Sequence, residues 1–317
     1  MTIILAISIL LGGLFLYSRF KNKEAEVKYP PKGEFITVEG IRLHYLSRGK
    51  GKKTVVFLHG AMLSANDYEP LLDRAAQQGY HALAFDRPGY GYSERPLHEA
   101  VTPQVQARLI HKALVKLGIE KTIVVGHSWS GVLALTYALS YPEQVTGIVI
   151  LGGAMYKEGY PAEKGDPIAA LIQTPVIGFF LLHFLLRSPL GTKLTDLMLE
   201  ATFAPDPVPS DYRALTHALW LRPSQFKANR EDVLAFPPAA AHISVRYPEI
   251  KQPIAMVVGE QDPFGATAQA QRLQQTLPQA KLVMIPQGGH MIPHHYPEQV
   301  LDAIHWVSQS YTDLISR

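Results

Sequence analysis

The chain of 317 residues contains no cysteine. Disulfides, thiolate metal sites and a cysteine nucleophile are excluded at once, and the redox compartment is left open. It also lacks a GxxxxGKS/T loop and a GxGxxG loop, so nothing cradles a nucleotide phosphate, and no cofactor is expected. No HExxH spacing occurs among its His, Asp and Glu residues, so no metal site is expected. There is no Lys/Arg-rich block with interleaved aromatics and the formal net charge is only +3, which argues against a nucleic-acid partner. Charge itself is sparse, at 18% of residues against 47% hydrophobic, a balance that fits a folded chain with a large core and excludes a disordered one.

What is present begins with an apolar run from Ile3 to Tyr17 that carries no charge. With Met1, Thr2 and Ser18 it reaches the low end of the roughly 17–25 residues that a spanning helix needs. A cleaved leader would have a basic start and a small-x-small end, and this run has neither. The expectation is an uncleaved single-pass membrane anchor over residues 1–20, with membrane lipid as a partner. Arg19, Lys21, Lys23 and Lys28 lie on its carboxyl side, which places the large domain in the cytoplasm, the other side remaining open. Residues 21–33 are polar, include Pro30-Pro31, and read as a linker.

From Glu34 onward, strand-like runs alternate with helical spacing. Glu34 to Thr37 and Ile41 to Leu46 are joined by Glu39-Gly40, a plausible hairpin turn. Thr54 to Leu58, His81 to Phe85, Val145 to Leu151, Ile254 to Val258 and Lys281 to Ile285 are short apolar runs of the kind buried on both faces of a parallel sheet. Helical spacing separates them: Asp67 to Gln78, Thr102-Pro103 to Leu117, Thr267 to Leu277 and Pro297 to Ser310. Between about 154 and 247 the alternation stops, and Pro and Gly punctuate short helical pieces. The fold expected is α/β, a mostly parallel sheet with helices on both faces. Residues 34–153 and 248–317 form its core, and a helical cap over 154–247 is inserted at the carboxyl edge, where open α/β sheets bind ligands.

One stretch carries chemistry. Val124-Val125-Gly126-His127-Ser128-Trp129-Ser130-Gly131 ends an apolar run in a serine bracketed by small residues, and a helix-prone segment follows at once. A strand turning sharply into a helix through a serine exposes its hydroxyl above the sheet, in the arrangement called a nucleophile elbow. Ser130 stands where the usual pattern has glycine. A serine hydroxyl needs a base, and the base an orienting acid. Gly259-Glu260-Gln261-Asp262 follows one late strand and Gln287-Gly288-Gly289-His290 the next, giving the order Ser128, Asp262, His290. Glu260 is the rival acid, and His294 and His295 the rival bases.

At this point the chain resembles the α/β-hydrolase fold family, from about Glu34 to the carboxyl terminus. The likeness rests on His59-Gly60, on Asp86 to Ser93, on the elbow, and on Asp262 with His290, each following an apolar strand. The resemblance implies that Ser128 attacks, His290 is the general base and Asp262 orients it. It also implies an oxyanion hole from the backbone N–H groups of Ala61 and Trp129. His59, Met62, Phe264 and Met291 are the candidate pocket residues, although His59, like His127, also reads as a structural support. Asp86 reads as a brace for its loop.

In this family a serine at the elbow, in place of the aspartate used for epoxides and carbon–halogen bonds, implies acyl chemistry. The reading is a serine hydrolase of carboxylic esters of apolar acyl groups. Its rivals on the same three residues are a carbon–carbon bond hydrolase, a perhydrolase or cofactor-free haloperoxidase, and an acyltransferase. A binding module would have no need of all three. Ile168 to Leu186 contains no Lys, Arg, Asp or Glu, but Thr174-Pro175 and Gly178 interrupt it. It reads as two cap helices, either packed on the core or presenting an apolar face that admits substrate from a bilayer, and not as a span.

Overall fold

The apolar runs pair into one eight-stranded sheet, β1 (Glu34–Val38), β2 (Ile41–Arg48), β3 (Lys53–Leu58), β4 (Tyr80–Phe85), β5 (Thr122–His127), β6 (Val145–Leu151), β7 (Ile254–Gly259) and β8 (Lys281–Ile285). This computed structural model describes residues 2–62 and 64–316, with backbone alone for residues 2–4 and 6–8. The strand order is β1-β2-β4-β3-β5-β6-β7-β8. β1 and β2 form an antiparallel hairpin through Glu39-Gly40, both residues at positive φ, and β2 lies antiparallel to β4. From β4 to β8 every pairing is parallel.

Helices cover both faces, as fully apolar strands require. α1 (Thr2–Lys28) precedes the sheet, α2 (Glu69–Gln77) follows β3, α3 (Pro103–Lys116) follows β4 and α4 (Ser130–Ser140) follows β5. The Thr102 side chain accepts from the Val105 N–H and Pro103 opens α3, so the cap and first-turn proline seen in the sequence are both used. The cap lies between β6 and β7 and holds α5 (Pro167–Gln173), α6 (Pro175–Phe180), α7 (Pro189–Phe203), α8 (Ser210–Trp220) and α9 (Pro223–Ser244). α10 (Ala266–Thr276), α11 (Ile292–His295) and α12 (Pro297–Ile315) complete the core. One apolar cluster joins α3, α4 and part of α9 to one side of the sheet, and a second joins α2 and α12 to the other.

At the amino terminus one expectation is corrected and a second finds no support. The linker expected over residues 21–33 is helical as far as Lys28. Its Lys and Glu residues are good helix formers, Lys21 pairs with Glu24 at 2.7 Å, and Arg187 of the cap donates to Asn22 at 2.6 Å. The membrane helix is not identified: among the described residues no single helix is long and apolar enough to cross a membrane. Met1 lies outside the described residues. The later part of α1 touches the cap, with the Phe15 and Phe184 rings 5.6 Å apart, while Leu5, Ile9, Leu10, Leu16 and Phe20 are exposed. The uncharged cap run splits at Thr174-Pro175 into two helices bent by 97°, because Pro175 cannot continue the helix before it.

Candidate active site

Ser128 sits between β5 and α4 with φ at +54°, a left-handed conformation unusual for a residue with a Cβ. The turn is locked from several sides. The Ser128 N–H donates to Leu151 O at 2.9 Å, and its carbonyl accepts from the N–H groups of Gly131 and Ala154. A Cβ at Gly126 would stand 2.3 Å from Ser130 O, and one at Gly131 would stand 2.8 Å from Ala154 O. The steric demand therefore falls on positions 126 and 131. Position 130 admits a serine, whose hydroxyl donates to His59 O at 2.6 Å and pins the β3 loop to the elbow.

Asp262 and His290 come from the loops after β7 and β8. His290 Nδ1 lies 2.6 Å from Asp262 Oδ2, and Asp262 Oδ1 accepts the Phe264 N–H at 2.8 Å. Both side chains are buried, at 0% and 4% exposure for Asp262 and His290. An ionised carboxylate only accepts, so Nδ1 carries the proton and Nε2 is left free to take one. Gly152, at the end of β6 with φ at +51°, makes the room: a Cβ there would lie 3.0 Å from Asp262 Oδ2 and 3.2 Å from His290 Nδ1.

Ser128, Trp129, Ala61 and His290 line one cavity of about 240 Å³ beneath the cap. Met62, Phe264 and Met291 line it as well, with Met198 and Val233 from the cap. Arg230 and Asp166 are the charged cap residues in its wall, paired with each other at 3.2 Å. Among the described residues, neither the Ala61 nor the Trp129 backbone N–H is engaged by another protein group. The rivals are elsewhere. Glu260 accepts from the Gln287 N–H, and His294 lies 3.9 Å from Asp67. Asp86 accepts from the N–H groups of Ala65 and Tyr92 and from His44, which makes it a loop brace.

Residues 55–303 match the model of the Alpha/beta hydrolase family. The chain belongs to that family and is a hydrolase. Among curated proteins it is similar to the 2-hydroxy-6-oxononadienedioate/2-hydroxy-6-oxononatrienedioate hydrolase of Paraburkholderia phymatum, at 28% identity over 270 residues, covering 82% of this chain and 88% of the relative. Among solved structures it is similar to an N-acyl homoserine lactone degrading enzyme, with TM-score 0.66, 22% identity, and coverage of 86% of this chain and 99% of that one. It is also similar to a membrane phospholipase A, with TM-score 0.68, 18% identity, and coverage of 100% of this chain and 98% of that one. At these identities the two structures speak to the fold alone.

One pocket expectation is corrected. His59 is fully buried and does not line the cavity of this α/β-hydrolase. Its Nε2 accepts the Arg87 N–H at 2.9 Å and its Nδ1 donates to Gly60 O at 2.9 Å, so the ring is a neutral brace inside the loop. Burial, with the Arg87 charge added to it, pushes its pKa down to about 3. His127 is likewise held well below the ordinary histidine value by burial and by its proximity to His290, whose carbonyl it faces at 3.0 Å. The unfolded chain binds a proton at His59 that the native state refuses. Stability is therefore expected to fall once pH drops below about 6.5 and to keep falling towards about 3. His59→Gln removes that titration, so its denaturant midpoint plotted against pH from 7 to 4 should fall less steeply than that of the wild type. Equal slopes would refute the assignment.

Sequence reasoning passed over Arg87, Asp232, Asn229 and Gln225. The last three sit at i, i+4 and i+7 of α9, a spacing that ordinarily marks a solvated helix face, yet all three are buried. Nothing in the sequence distinguishes the two cases, and Pro237-Pro238, which ordinarily break a helix, lie inside the 22-residue α9.

Proposed function

We propose that this hydrolase cleaves a carbon–carbon bond beside a ketone in a largely apolar substrate, through an acyl intermediate on Ser128. His290 takes the Ser128 proton as Oγ adds to the carbonyl carbon, and Asp262 holds the imidazole and balances its charge. The oxyanion is received by the N–H groups of Ala61 and Trp129. The carbon–carbon bond then breaks, its electron pair departs with the leaving carbon, and that carbon collects the proton from His290. Water attacks the acyl group with His290 as base and releases a carboxylic acid and free Ser128.

The observation that carries this reading is the likeness over 82% of the chain to a hydrolase of a 6-oxo-dienedioate. A compound of that description contains no ester or amide bond, so its hydrolysis breaks carbon–carbon. The cavity wall adds a restriction. Arg230 is one cation and Asp166 already shares it, which favours a substrate with fewer carboxylates than a dioate. Ester hydrolysis is the second reading, favoured by the apolar wall of Met62, Met198, Val233, Phe264 and Met291.

The test compares kcat/KM for a 2-hydroxy-6-oxo-dienoic acid with values for p-nitrophenyl esters graded from acetate to decanoate. The ketone is expected to exceed the best ester by about tenfold, the discrimination that roughly 1.4 kcal/mol of transition-state binding supplies. Ester turnover without ketone cleavage would overturn the carbon–carbon reading and restore the ester one.

A further inference from the structure

The loop after β3 presents its carbonyls in succession to side chains that belong to, or are held by, cap helix α9. His59 O accepts Arg87 Nε at 3.1 Å and Gly60 O accepts Arg87 Nη2 at 3.1 Å. Ala61 O accepts Asn229 Nδ2 at 2.7 Å. The Arg87 guanidinium is fully buried, lies 4.3 Å over the Tyr90 ring and 4.2 Å over the Trp129 ring, and donates through Nη1 to Asp232 at 2.6 Å. The Asp232 carboxylate also accepts from Tyr90, Gln106 and Arg95. Its backbone carbonyl accepts the Trp129 indole N–H at 3.1 Å.

Gly60 C=O and Ala61 N–H belong to one planar peptide and point to opposite sides of it. A donor fixed on that carbonyl fixes the direction of that N–H, and a charged donor also polarises it into a stronger one. We infer that Arg87, clamped by Asp232 of the cap, is a positioning residue for the oxyanion hole. It aims the Ala61 N–H through the Gly60 carbonyl, which it shares with His59 Nδ1, while the backbone carbonyl of Asp232 holds the Trp129 ring beside the second donor. The cap is thus part of the catalytic geometry as well as a cover. A lysine cannot replace Arg87, because serving His59 O, Gly60 O, Gln106 and Asp232 together takes the planar fork of a guanidinium.

The inference rests on the acyl-enzyme reading, and the experiment separates the two. Arg87→Lys, Asp232→Asn and the double variant Arg87→Met/Asp232→Leu are compared with wild type on one substrate. The double variant replaces the buried pair with apolar side chains, an exchange that buried ion pairs often tolerate; Arg95 keeps Glu231 as its partner, and Tyr90 and Gln106 lose the Asp232 acceptor. Each is expected to lose about 10- to 100-fold in kcat, part of the effect of deleting an oxyanion donor, with KM changed by less than about threefold. Affinity for a trifluoromethyl ketone, whose Ser128 hemiketal oxygen occupies the hole, should fall in parallel with kcat/KM. A packing role would lower thermal stability without this parallel. Wild-type kcat in any folded variant, or a rise in KM at constant kcat, overturns the inference. Failure of wild-type Ser128 to react with a fluorophosphonate overturns the acyl-enzyme reading instead.

Discussion

Ser128→Ala is expected to lower kcat by about five to six orders of magnitude and to leave the fold intact. Alanine carries the same Cβ as serine, so the cost of holding position 128 at φ +54° is unchanged. The locks on the turn are backbone groups, from Leu151, Gly131 and Ala154, and survive the substitution. What is lost is the proposed nucleophile alone. The residual rate is then set by the two N–H donors and by binding, which in comparable triads amounts to about 10³–10⁴ over water. The check is kcat on the preferred substrate together with fluorophosphonate labelling, which should vanish. A folded variant retaining more than about one hundredth of wild-type kcat would place the attacking group elsewhere.

The sheet was legible because parallel strands buried on both faces must be apolar throughout, and that leaves a mark in one sequence. Thr54 to Leu58 and Ile254 to Val258 are read from it within a residue of their observed ends. Helix starts were legible where a cap residue precedes proline, as at Thr102-Pro103. The cap was not. Pro237-Pro238 remove two backbone donors yet stay inside α9, because packing of Phe236, Ala240 and Ile243 on the core outweighs the loss. A membrane helix was expected at the amino terminus from composition alone. Whether such a helix rests on protein depends on partners such as Phe184 and Arg187, which lie more than 150 residues away in sequence. The site divides along the same line. Ser128, Asp262 and His290 each follow a strand and can be found one at a time. Arg87 and Asp232, 145 residues apart, have meaning only once the fold brings them to 2.6 Å.

Asp262→Asn is expected to cost about 10⁴ in kcat, a loss set by which nitrogen of His290 carries the proton. In the native site Asp262 Oδ1 takes the Phe264 N–H and Oδ2 takes the His290 Nδ1–H. An asparagine has one oxygen and one NH₂, and the Phe264 N–H can be satisfied only by the oxygen. The NH₂ is then turned towards His290 Nδ1, which must become an acceptor and give up its proton. The proton moves to Nε2, the nitrogen that has to be free to receive one from Ser128. The side chain fits, the hydrogen bonds are all made, and the base is in the wrong tautomer. The prediction is therefore a large fall in kcat, little change in KM, and a thermal midpoint close to wild type. Ring ¹⁵N shifts of His290 should show the proton transferred from Nδ1 to Nε2. A folded Asp262→Asn enzyme within tenfold of wild-type kcat, or one whose Nδ1 remains protonated, would remove Asp262 from the role of orienting acid. The position of Gly152 argues for the same hydrogen bond from its other side. A glycine there leaves open the space in which any Cβ would press on Asp262 Oδ2 and His290 Nδ1 together.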